Sequence, residues 1–308
     1  MPVSFHLKIL PIVGLAIFST LLRLPGRDTC NNFPGRLFAE LRACYYSVPL
    51  GNLESEGVDT MKSIAGLFAF ASLFLMGTAA QAQMSRPVQT FDTSAGPVKV
   101  TPVYHASLAI EAGGKVLIID PAKPAEFTGV PKADLILITD IHQDHLDPAL
   151  ISSVSKDGTE IIAPAAVAKT VTSAKTLANG EKTTWGKWTI EAVPMYNLTR
   201  GPEAGKLFHD KGRGNGYILT YGGKRFYFSG DTEGIPEMRA LKNIDVAFVC
   251  MNLPYTMTPD EAADAVKAFH PKVVIPYHYK GQDTSVFKKD LEGSGIDVRL
   301  LNWYPSAS

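Results

Sequence analysis

The chain has 308 residues, of which 45% are hydrophobic and 19% are charged, a composition typical of a globular protein. It carries 30 basic and 30 acidic residues. Because this balance is neutral, charge gives no reason to expect a nucleic acid or an anionic membrane as a partner. The length allows one or two domains.

The first feature along the chain is a segment with the pattern of a secretory signal. A basic start at Met61-Lys62 precedes the apolar run 64–76, and the Ala-Gln-Ala at 80–82 has the form that signal peptidases cut. The run is shorter than the ~20 residues that span a membrane, so a short anchor is the less favoured alternative. We therefore predict a cleaved signal peptide over 61–82, a periplasmic or secreted protein, and no stable membrane span after cleavage.

Two further segments flank this signal. Residues 1–60 lie upstream of it, and we expect them to come from a mis-assigned start codon or to form a disordered extension. A genuine anchor or a longer leader is the alternative. Residues 83–97 are polar and rich in Ser, Pro and Gly, which predicts a linker. The folded domain is accordingly predicted over 98–308.

From Val98 onward, short apolar runs recur at regular spacing, as in a protein rich in strands. Two hairpins resemble each other, because 108–120 and 218–231 each place Gly-Gly between two strands and end in Asp. This repetition suggests two similar halves that share one core. The predicted strands are Val98–Val103, Ser107–Glu111, Val116–Ile119, Leu135–Thr139, Glu160–Ala163, Trp188–Val193, Tyr217–Thr220, Arg225–Ser229, Val246–Met251, Val273–Pro276 and Val298–Leu301.

Three helices are predicted between these strands. Asp147-Pro148 places a capping carboxylate before a proline suited to the first helical position. Thr258-Pro-Asp-Glu261 has the form of a capping box that opens a helix over 262–269. A third helix is predicted over 283–291. Helices that alternate with strands indicate an α/β fold.

The strand that begins at Leu135 is followed directly by four metal-binding side chains. These are Asp140, His142, Asp144 and His145. Carboxylates and imidazoles are the groups that bind zinc and similar divalent ions. Loops that follow buried strands often carry function, so this cluster is interpreted as a metal site rather than as a solvated loop.

The spacing of the cluster resembles the His-x-His-x-Asp-His signature of the metallo-β-lactamase superfamily, with Asp140 in place of the first His. Ser229-Gly-Asp-Thr232 resembles the superfamily's Gly-Asp motif, and Ile275-Pro-Tyr-His278 matches its final His. The resemblance covers most of the mature chain. It is strongest with the branch that contains sugar-lactone hydrolases and N-acylphosphatidylethanolamine phospholipases. It implies an α/β fold, a four-layer αββα sandwich of two face-to-face sheets between outer helices.

The resemblance also implies two metal sites and a ligand set for them. In the superfamily, His142 would serve the first metal, Asp144, His145 and His278 the second, and Asp231 both. The last ligand of the first metal is expected where Asn197 stands, and His209 is the alternative. The full predicted ligand set is Asp140, His142, Asp144, His145, His209, Asp231 and His278.

The metal predicted for these sites is one or two zinc ions. Asp140 in place of a His makes the first site richer in oxygen, which shifts its preference toward manganese or iron. The first site could therefore bind its metal more weakly than the second. True β-lactamase activity is not expected, because the enzymes with a Cys ligand hold it where this chain has Asp231.

Several other side chains are candidates for the chemistry. Asp144 is predicted to orient or deprotonate the nucleophile in addition to binding metal. His105, Asn197 and Tyr277 are candidates for places around the ligands, although His105 could equally be a polar cap of a strand. Tyr196, Tyr277 or Tyr279 could donate to the leaving group. Lys206, Lys211 and Arg213 lie in a loop that could contact an anionic substrate or be merely solvated.

The function expected from the sequence is that of a metal-dependent hydrolase. A metal-activated hydroxide would attack an ester, lactone or phosphodiester bond of a small substrate that could carry an anionic group. The alternative is an exported metal-binding protein with a degenerate site and no hydrolytic turnover, an idea motivated by Asp140 and Asn197. Nucleic acid is not expected as a substrate, and the sequence does not fix the oligomeric state.

Overall fold

The computed structural model describes residues 86–304 and gives them an α/β fold. The predictions for 1–60 and 61–82 lie outside these residues. The strands are β1 Gln89–Phe91, β2 Val98–Tyr104, β3 Ser107–Ala112, β4 Lys115–Ile119, β5 Ala133–Leu137, β6 Ser155–Ala163, β7 Lys175–Thr176, β8 Lys182–Trp185, β9 Trp188–Met195, β10 Gly214–Tyr221, β11 Lys224–Phe228, β12 Val246–Cys250, β13 Val273–Tyr277 and β14 Asp297–Val298. The helices are α1 Pro148–Val154, α2 Ala165–Ala168, α3 Pro236–Arg239, α4 Pro259–Phe269 and α5 Thr284–Asp290.

The strands form two seven-stranded sheets with the same pattern. In the first sheet, β1 to β4 are antiparallel neighbours and β4 to β7 are parallel. In the second sheet, β8 to β11 are antiparallel and β11 to β14 are parallel. Residues 86–304 therefore form two topologically equivalent halves, as the repeated hairpins suggested.

The repeated Gly-Gly pairs form the tips of the corresponding hairpins β3–β4 and β10–β11. Gly113 and Gly114 have φ of 58° and 74°, and Gly222 and Gly223 have φ of 52° and 81°. Residues with a Cβ atom rarely adopt this left-handed conformation. Both tight turns thus depend on glycine at two successive positions.

The main core lies between the two sheets. Leu108 and Ile110 of the first sheet and Tyr217 and Leu219 of the second belong to the same buried cluster. Alternate residues of β3 point to the other face, where Ala109 packs with α1 and α2 in a second cluster. Helices α4 and α5 cover the outer face of the second sheet. These four layers confirm the αββα architecture predicted from the resemblance.

The predicted helix starts are also present. The Asp147 carboxylate accepts hydrogen bonds from the backbone of residues 149 and 150 at the start of α1. Thr258 and Glu261 form the predicted reciprocal capping box, and α4 begins at Pro259 inside it rather than at residue 262. Within residues 86–304, no helix has the length and apolar character that crossing a membrane requires.

Two boundary predictions were wrong. The segment 83–97 is not wholly a linker, because β1 pairs with β2 and Phe91 is buried in the core. The last strand is Asp297–Val298 and does not extend to Leu301. Very short elements were missed as well, namely β7, β8, α2 and α3. They contain two to four residues each, too few to show a period.

Candidate metal centre

The candidate ligands meet at one edge of the sandwich, where the parallel strands of both sheets end. Residues 140–145 follow β5, Asp231 follows β11 and His278 follows β13. Backbone conformations are unusual here, because φ is 49° at His278 and 55° at His105. Non-glycine residues seldom adopt such φ values and tend to do so at functional sites.

The four residues that the resemblance assigns to the second metal, Asp144, His145, Asp231 and His278, lie close together. His145 Nε2 lies 3.3 Å from Asp231 Oδ2 and 3.8 Å from Asp144 Oδ1. His278 Nε2 lies 3.5 Å from Asp231 Oδ1 and 3.4 Å from Asp144 Oδ2. Two imidazoles and two carboxylates therefore converge on one point.

Three atoms that face the second site are buried and have no hydrogen-bond partner within residues 86–304. They are His145 Nε2, His278 Nε2 and Asp231 Oδ1. Buried polar atoms are almost always paired in folded proteins, so this cluster of unpaired atoms needs an explanation. Imidazole nitrogens and carboxylate oxygens are ordinary ligands of zinc and neighbouring divalent ions. The residues present therefore fit a divalent metal ion.

The other nitrogen of His145 is held by Asp120, the last residue of the first hairpin. His145 Nδ1 lies 2.8 Å from Asp120 Oδ2. The Thr139 backbone N–H and hydroxyl donate to the same carboxylate at 2.7 and 2.6 Å. This arrangement leaves Nε2 of His145 directed at the second site and is a common support for metal-binding histidines. The sequence predictions did not include this role for Asp120.

The first site contains Asp140, His142 and His209, and the structure distinguishes His209 from Asn197 there. His209 Nε2 lies 3.2 Å from Asp231 Oδ2, and it has no hydrogen-bond partner in the described part of the chain. Its Nδ1 lies 2.6 Å from Asn197 Oδ1, which also accepts the His209 backbone N–H. Asn197 thus orients His209 and does not face the centre itself.

Asp140, the residue that departs from the superfamily signature, forms an ion pair with Arg213. Arg213 Nε donates to Oδ1 at 3.1 Å and Nη2 donates to Oδ2 at 2.9 Å. Asp140 is fully buried. Burial raises its pKa, but the contact with His142 and the charges of His145, His142 and Arg213 outweigh burial and lower it to about 2.

His105 lies beside Asp144, on the cleft side of the centre. Its Nε2 is 3.2 Å from Asp144 Oδ2, its Nδ1 is 2.6 Å from the Tyr304 hydroxyl, and its ring stacks on His278 at 3.7 Å. Burial lowers the pKa of His105 to about 4. The neutral ring can then donate from Nε2 to Asp144 while accepting from Tyr304.

The electric field of the centre favours positive charge. Burial alone would lower the pKa of His145, but the carboxylates of Asp231 and Asp120 raise it well above its ordinary value. Burial likewise opposes ionisation of Asp144, yet the hydrogen bond from His105 and the charge of His145 hold its pKa far below the usual range. A divalent cation would satisfy the same field.

The centre opens into a cleft of about 810 Å³. Asp144, His142 and His209 line its floor. Exposed Lys123 and Lys280 stand at its rim. An apolar wall is formed by Tyr104, Phe208, Leu253, Pro254 and Tyr255.

Two residues that the sequence offered as contacts for an anionic substrate do not line the cleft. Lys206 and Lys211 pair with Glu203 and Glu237, and neither lysine lines the cleft. The lysines that line the cleft are instead Lys123 and Lys280, and neither belongs to a motif that the sequence analysis identified.

The three tyrosines proposed as donors to the leaving group have their hydroxyls engaged elsewhere. Tyr196 donates to Glu237, and Tyr279 donates to the carbonyl of Leu301. Tyr277 is buried, and its hydroxyl accepts from the backbone N–H of Gly230, so it supports the turn that carries Asp231. Tyr304, which the sequence did not single out, reaches the centre through His105, whose Nδ1 lies 2.6 Å from the Tyr304 hydroxyl.

A two-sheet αββα sandwich with a histidine and aspartate cluster at its strand ends is the arrangement expected from the resemblance to the metallo-β-lactamase superfamily. The family described as the β-lactamase superfamily domain matches residues 99–278. The chain belongs to this family, and it is a metal-dependent hydrolase.

Individual relatives agree with this assignment. A UPF0173 metal-dependent hydrolase of Thermococcus kodakarensis is 32% identical over 66% of this chain and 96% of its own length. The crystal structure of a protein of Parabacteroides distasonis that bears the name of a metal-dependent hydrolase is 44% identical, with a TM-score of 0.67, over 70% of this chain and 98% of that one. The metallo hydrolase Igni18 of Ignicoccus hospitalis is 26% identical, with a TM-score of 0.56, over 66% and 94% of the two chains.

Proposed function

We propose that the protein hydrolyses an ester, lactone or phosphodiester bond in a small substrate that carries an anionic group and an apolar body. The observation that supports this most directly is the cleft, where the metal centre, two lysines and an apolar wall face the same space. Lys123 and Lys280 would attract a carboxylate or a phosphate. The wall around Leu253 and Tyr255 would bind the apolar part.

The second site would hold the ion, through Asp144, His145, Asp231 and His278. Bound there, a divalent ion supplies a water of lowered pKa and polarises the bond under attack. Zinc is the proposed metal, because two imidazoles and two carboxylates form an ordinary ligand set for it. Manganese and iron are the alternatives that metal analysis would distinguish.

Asp144 is the proposed catalytic residue of this chain. Its side chain is 42% exposed and lines the cleft, whereas the other donors of the second site are buried. Because its carboxylate stays ionised, it can accept a hydrogen bond from the attacking water and orient it. His105 and Tyr304 hold that carboxylate in place from the other side.

A substrate panel combined with metal analysis tests the function. The purified protein, loaded with Zn²⁺, is assayed on matched pairs of aryl esters, lactones and phosphodiesters with and without a carboxylate. We expect turnover of one bond type, with a preference for the anionic member, and a loss of about 100-fold or more in kcat for Asp144→Asn. Tight metal binding without turnover on any substrate would instead support the non-hydrolytic alternative.

The lysines at the rim provide a sharper test of substrate class. Lys123→Met and Lys280→Met should each raise KM for the anionic substrate about 2- to 5-fold, as expected for exposed charge pairs, and leave the neutral analogue unaffected. Lys242→Met, at an exposed position away from the cleft, is the matched control. Equal effects on both substrates would contradict a role in recognising the anion.

Export is also proposed, on the basis of the signal-like segment 61–82. A periplasmic or secreted protein would begin at Gln83. Mass spectrometry of the N-terminus of the protein expressed from its full reading frame tests this. An N-terminus at or before Met61 in the purified protein would contradict cleavage.

A further inference from the structure

The first site differs from the second in having its donors paired within the protein. Both oxygens of the Asp140 carboxylate receive hydrogen bonds from Arg213, at 3.1 and 2.9 Å. The imidazole of His142 is engaged as well, because its Nδ1 lies 2.9 Å from Asp140 Oδ2 and its Nε2 lies 3.5 Å from Arg213 Nη2. Of the three first-site side chains, His209 alone has an unpaired buried nitrogen.

The backbone explains why Arg213 reaches this place. Arg213 precedes β10, and the β10 residue Asn215 donates its backbone N–H to the carbonyl of Thr139, next to Asp140. A Cβ atom on Gly214 would lie 2.8 Å from that same carbonyl. Glycine at 214 therefore allows the close approach of β10 to the end of β5, and this approach delivers the guanidinium to Asp140.

The chemistry of the guanidinium makes this pair more than an incidental contact. Arginine stays charged at any physiological pH, and its planar fork matches both oxygens of a carboxylate. Arg213 therefore supplies a permanent positive charge where the superfamily signature would place a His and a metal ion. A second divalent ion would have to bind beside this fixed cation, with Asp140 and His142 already paired.

We propose that the Arg213–Asp140 ion pair replaces the first metal ion, so that the protein holds one resident ion, at the second site. In this arrangement Arg213 is a positioning residue, since it does not line the cleft. It neutralises buried Asp140 and fixes His142 against it. The proposal rests on the proposed metal-dependent function, but it concerns the number of ions rather than the substrate.

Metal stoichiometry tests the proposal. The protein is stripped, loaded with excess Zn²⁺ or Mn²⁺, desalted and measured by elemental analysis. We expect one ion per wild-type chain, and an EPR spectrum of the Mn²⁺-loaded protein without the signal of a coupled pair. Two tightly held ions per wild-type chain, or a coupled Mn²⁺ signal, would overturn the proposal.

Variants test whether the Arg213–Asp140 ion pair is what limits the protein to one ion. Asp140→His combined with Arg213→Met restores the superfamily spacing and removes the fixed cation, and we expect it to hold two ions. Arg239→Met removes an arginine that pairs with Asp264 away from the centre, and it should keep one ion. If the double variant does not fold, Asp140→Asn tests the proposal instead, and we expect this variant to hold one ion. A drop to less than one ion would show that Asp140 is a ligand and would overturn the proposal.

The number of bound ions is measured independently of turnover. A protein that holds one ion but hydrolyses nothing on the panel would contradict the proposed function and leave the proposal on stoichiometry standing. A protein that hydrolyses its substrate with two ions would do the reverse.

Discussion

In the second site, His145 Nε2 and His278 Nε2 face the carboxylate of Asp231. Within residues 86–304, neither of these buried nitrogens has a hydrogen-bond partner. In the first site, Arg213 satisfies both oxygens of Asp140 with its own donors. The two sites contain the same kinds of ligand residue and share Asp231. Their difference shows that residue types at the expected spacing do not by themselves make a metal site. The hydrogen bonds around the ligands decide whether a cation is still needed.

The residues that hydrogen-bond the histidines of the two sites also favour metal binding at the second site. His145 is held by the carboxylate of Asp120, whereas His209 is held by the neutral amide of Asn197. A carboxylate on the distant nitrogen raises the basicity of a metal-binding imidazole more than an amide does. The second site is therefore better suited to hold a metal ion, both through its own unpaired atoms and through the carboxylate that supports His145.

The largest effect is expected from Asp231→Asn, because this change removes a carboxylate that faces the histidines of both candidate sites. It should lower metal content to well below one ion per chain and reduce activity by more than about 100-fold, beyond the range of changes around the ligands. Elemental analysis and kcat/KM provide the two measurements. Asp264→Asn, at a carboxylate that is 68% exposed, is the control. Full metal content in Asp231→Asn would show that Asp231 is not a ligand.

A smaller effect is expected from Asp120→Asn. The amide oxygen can still accept from the Thr139 backbone, so the turn is retained, but the charge behind His145 is lost. Zinc affinity should fall about 10- to 100-fold, as is usual for partners of metal-binding histidines. Competition with a fluorescent chelator measures this. An unchanged affinity would mean that His145 does not bind the resident ion.

Asn197→Ala is the corresponding change behind His209, and its effect on the resident ion should be smaller still. If that ion lies in the second site, its affinity should fall by less than the 10-fold lower limit expected for Asp120→Asn. The variant should nevertheless lose about 1–3 kcal/mol of stability, because the buried His209 N–H loses its acceptor. Chelator competition and urea unfolding separate the two effects. Equal affinity losses in the two variants would favour an ion bound by both sites.

Much of the fold could be predicted from the sequence, because its main signals are local. Alternating strand patterns, the Gly-Gly turns and the capping residues Asp147 and Thr258 each act within a few positions. The edge strand β1 was missed, since its pairing with β2 is a tertiary contact and Gln89–Phe91 has only three residues. The family resemblance supplied the layer order, which periodicity does not provide.

The candidate ligands could be predicted because they follow strands at the spacing of a known motif. The partners of these residues could not, because they come from distant parts of the chain. Asp120 lies 25 positions from His145, Arg213 lies 73 from Asp140, and Tyr304 lies 199 from His105. Only the folded arrangement shows that Asn197 supports a neighbour and that Asp140 has a fixed cation.

The last prediction concerns Asp134, at the opposite end of β5 from the centre, where a carboxylate is satisfied without any metal. Its oxygens lie 3.0 Å from the ammonium groups of Lys115 and Lys156 and from the backbone N–H of Val116. Burial raises its pKa, but these partners together outweigh burial and lower it from 3.8 to about 2. Asp134→Asn should therefore cost about 1–2 kcal/mol of stability at pH 7, with metal content and activity unchanged.

The pH dependence of this effect provides its test. A carboxylate whose pKa is lowered by folding stabilises the protein fully above its ordinary pKa, and this contribution is lost as the pH falls through the folded value. The stability difference between wild type and Asp134→Asn should thus be constant above about pH 5 and shrink between about pH 4 and pH 2. Urea unfolding of both proteins across this range measures it, with Asp92→Asn as an exposed control. A difference that persists at pH 2 would show that Asp134 acts through the shape of its hydrogen bonds rather than through its charge.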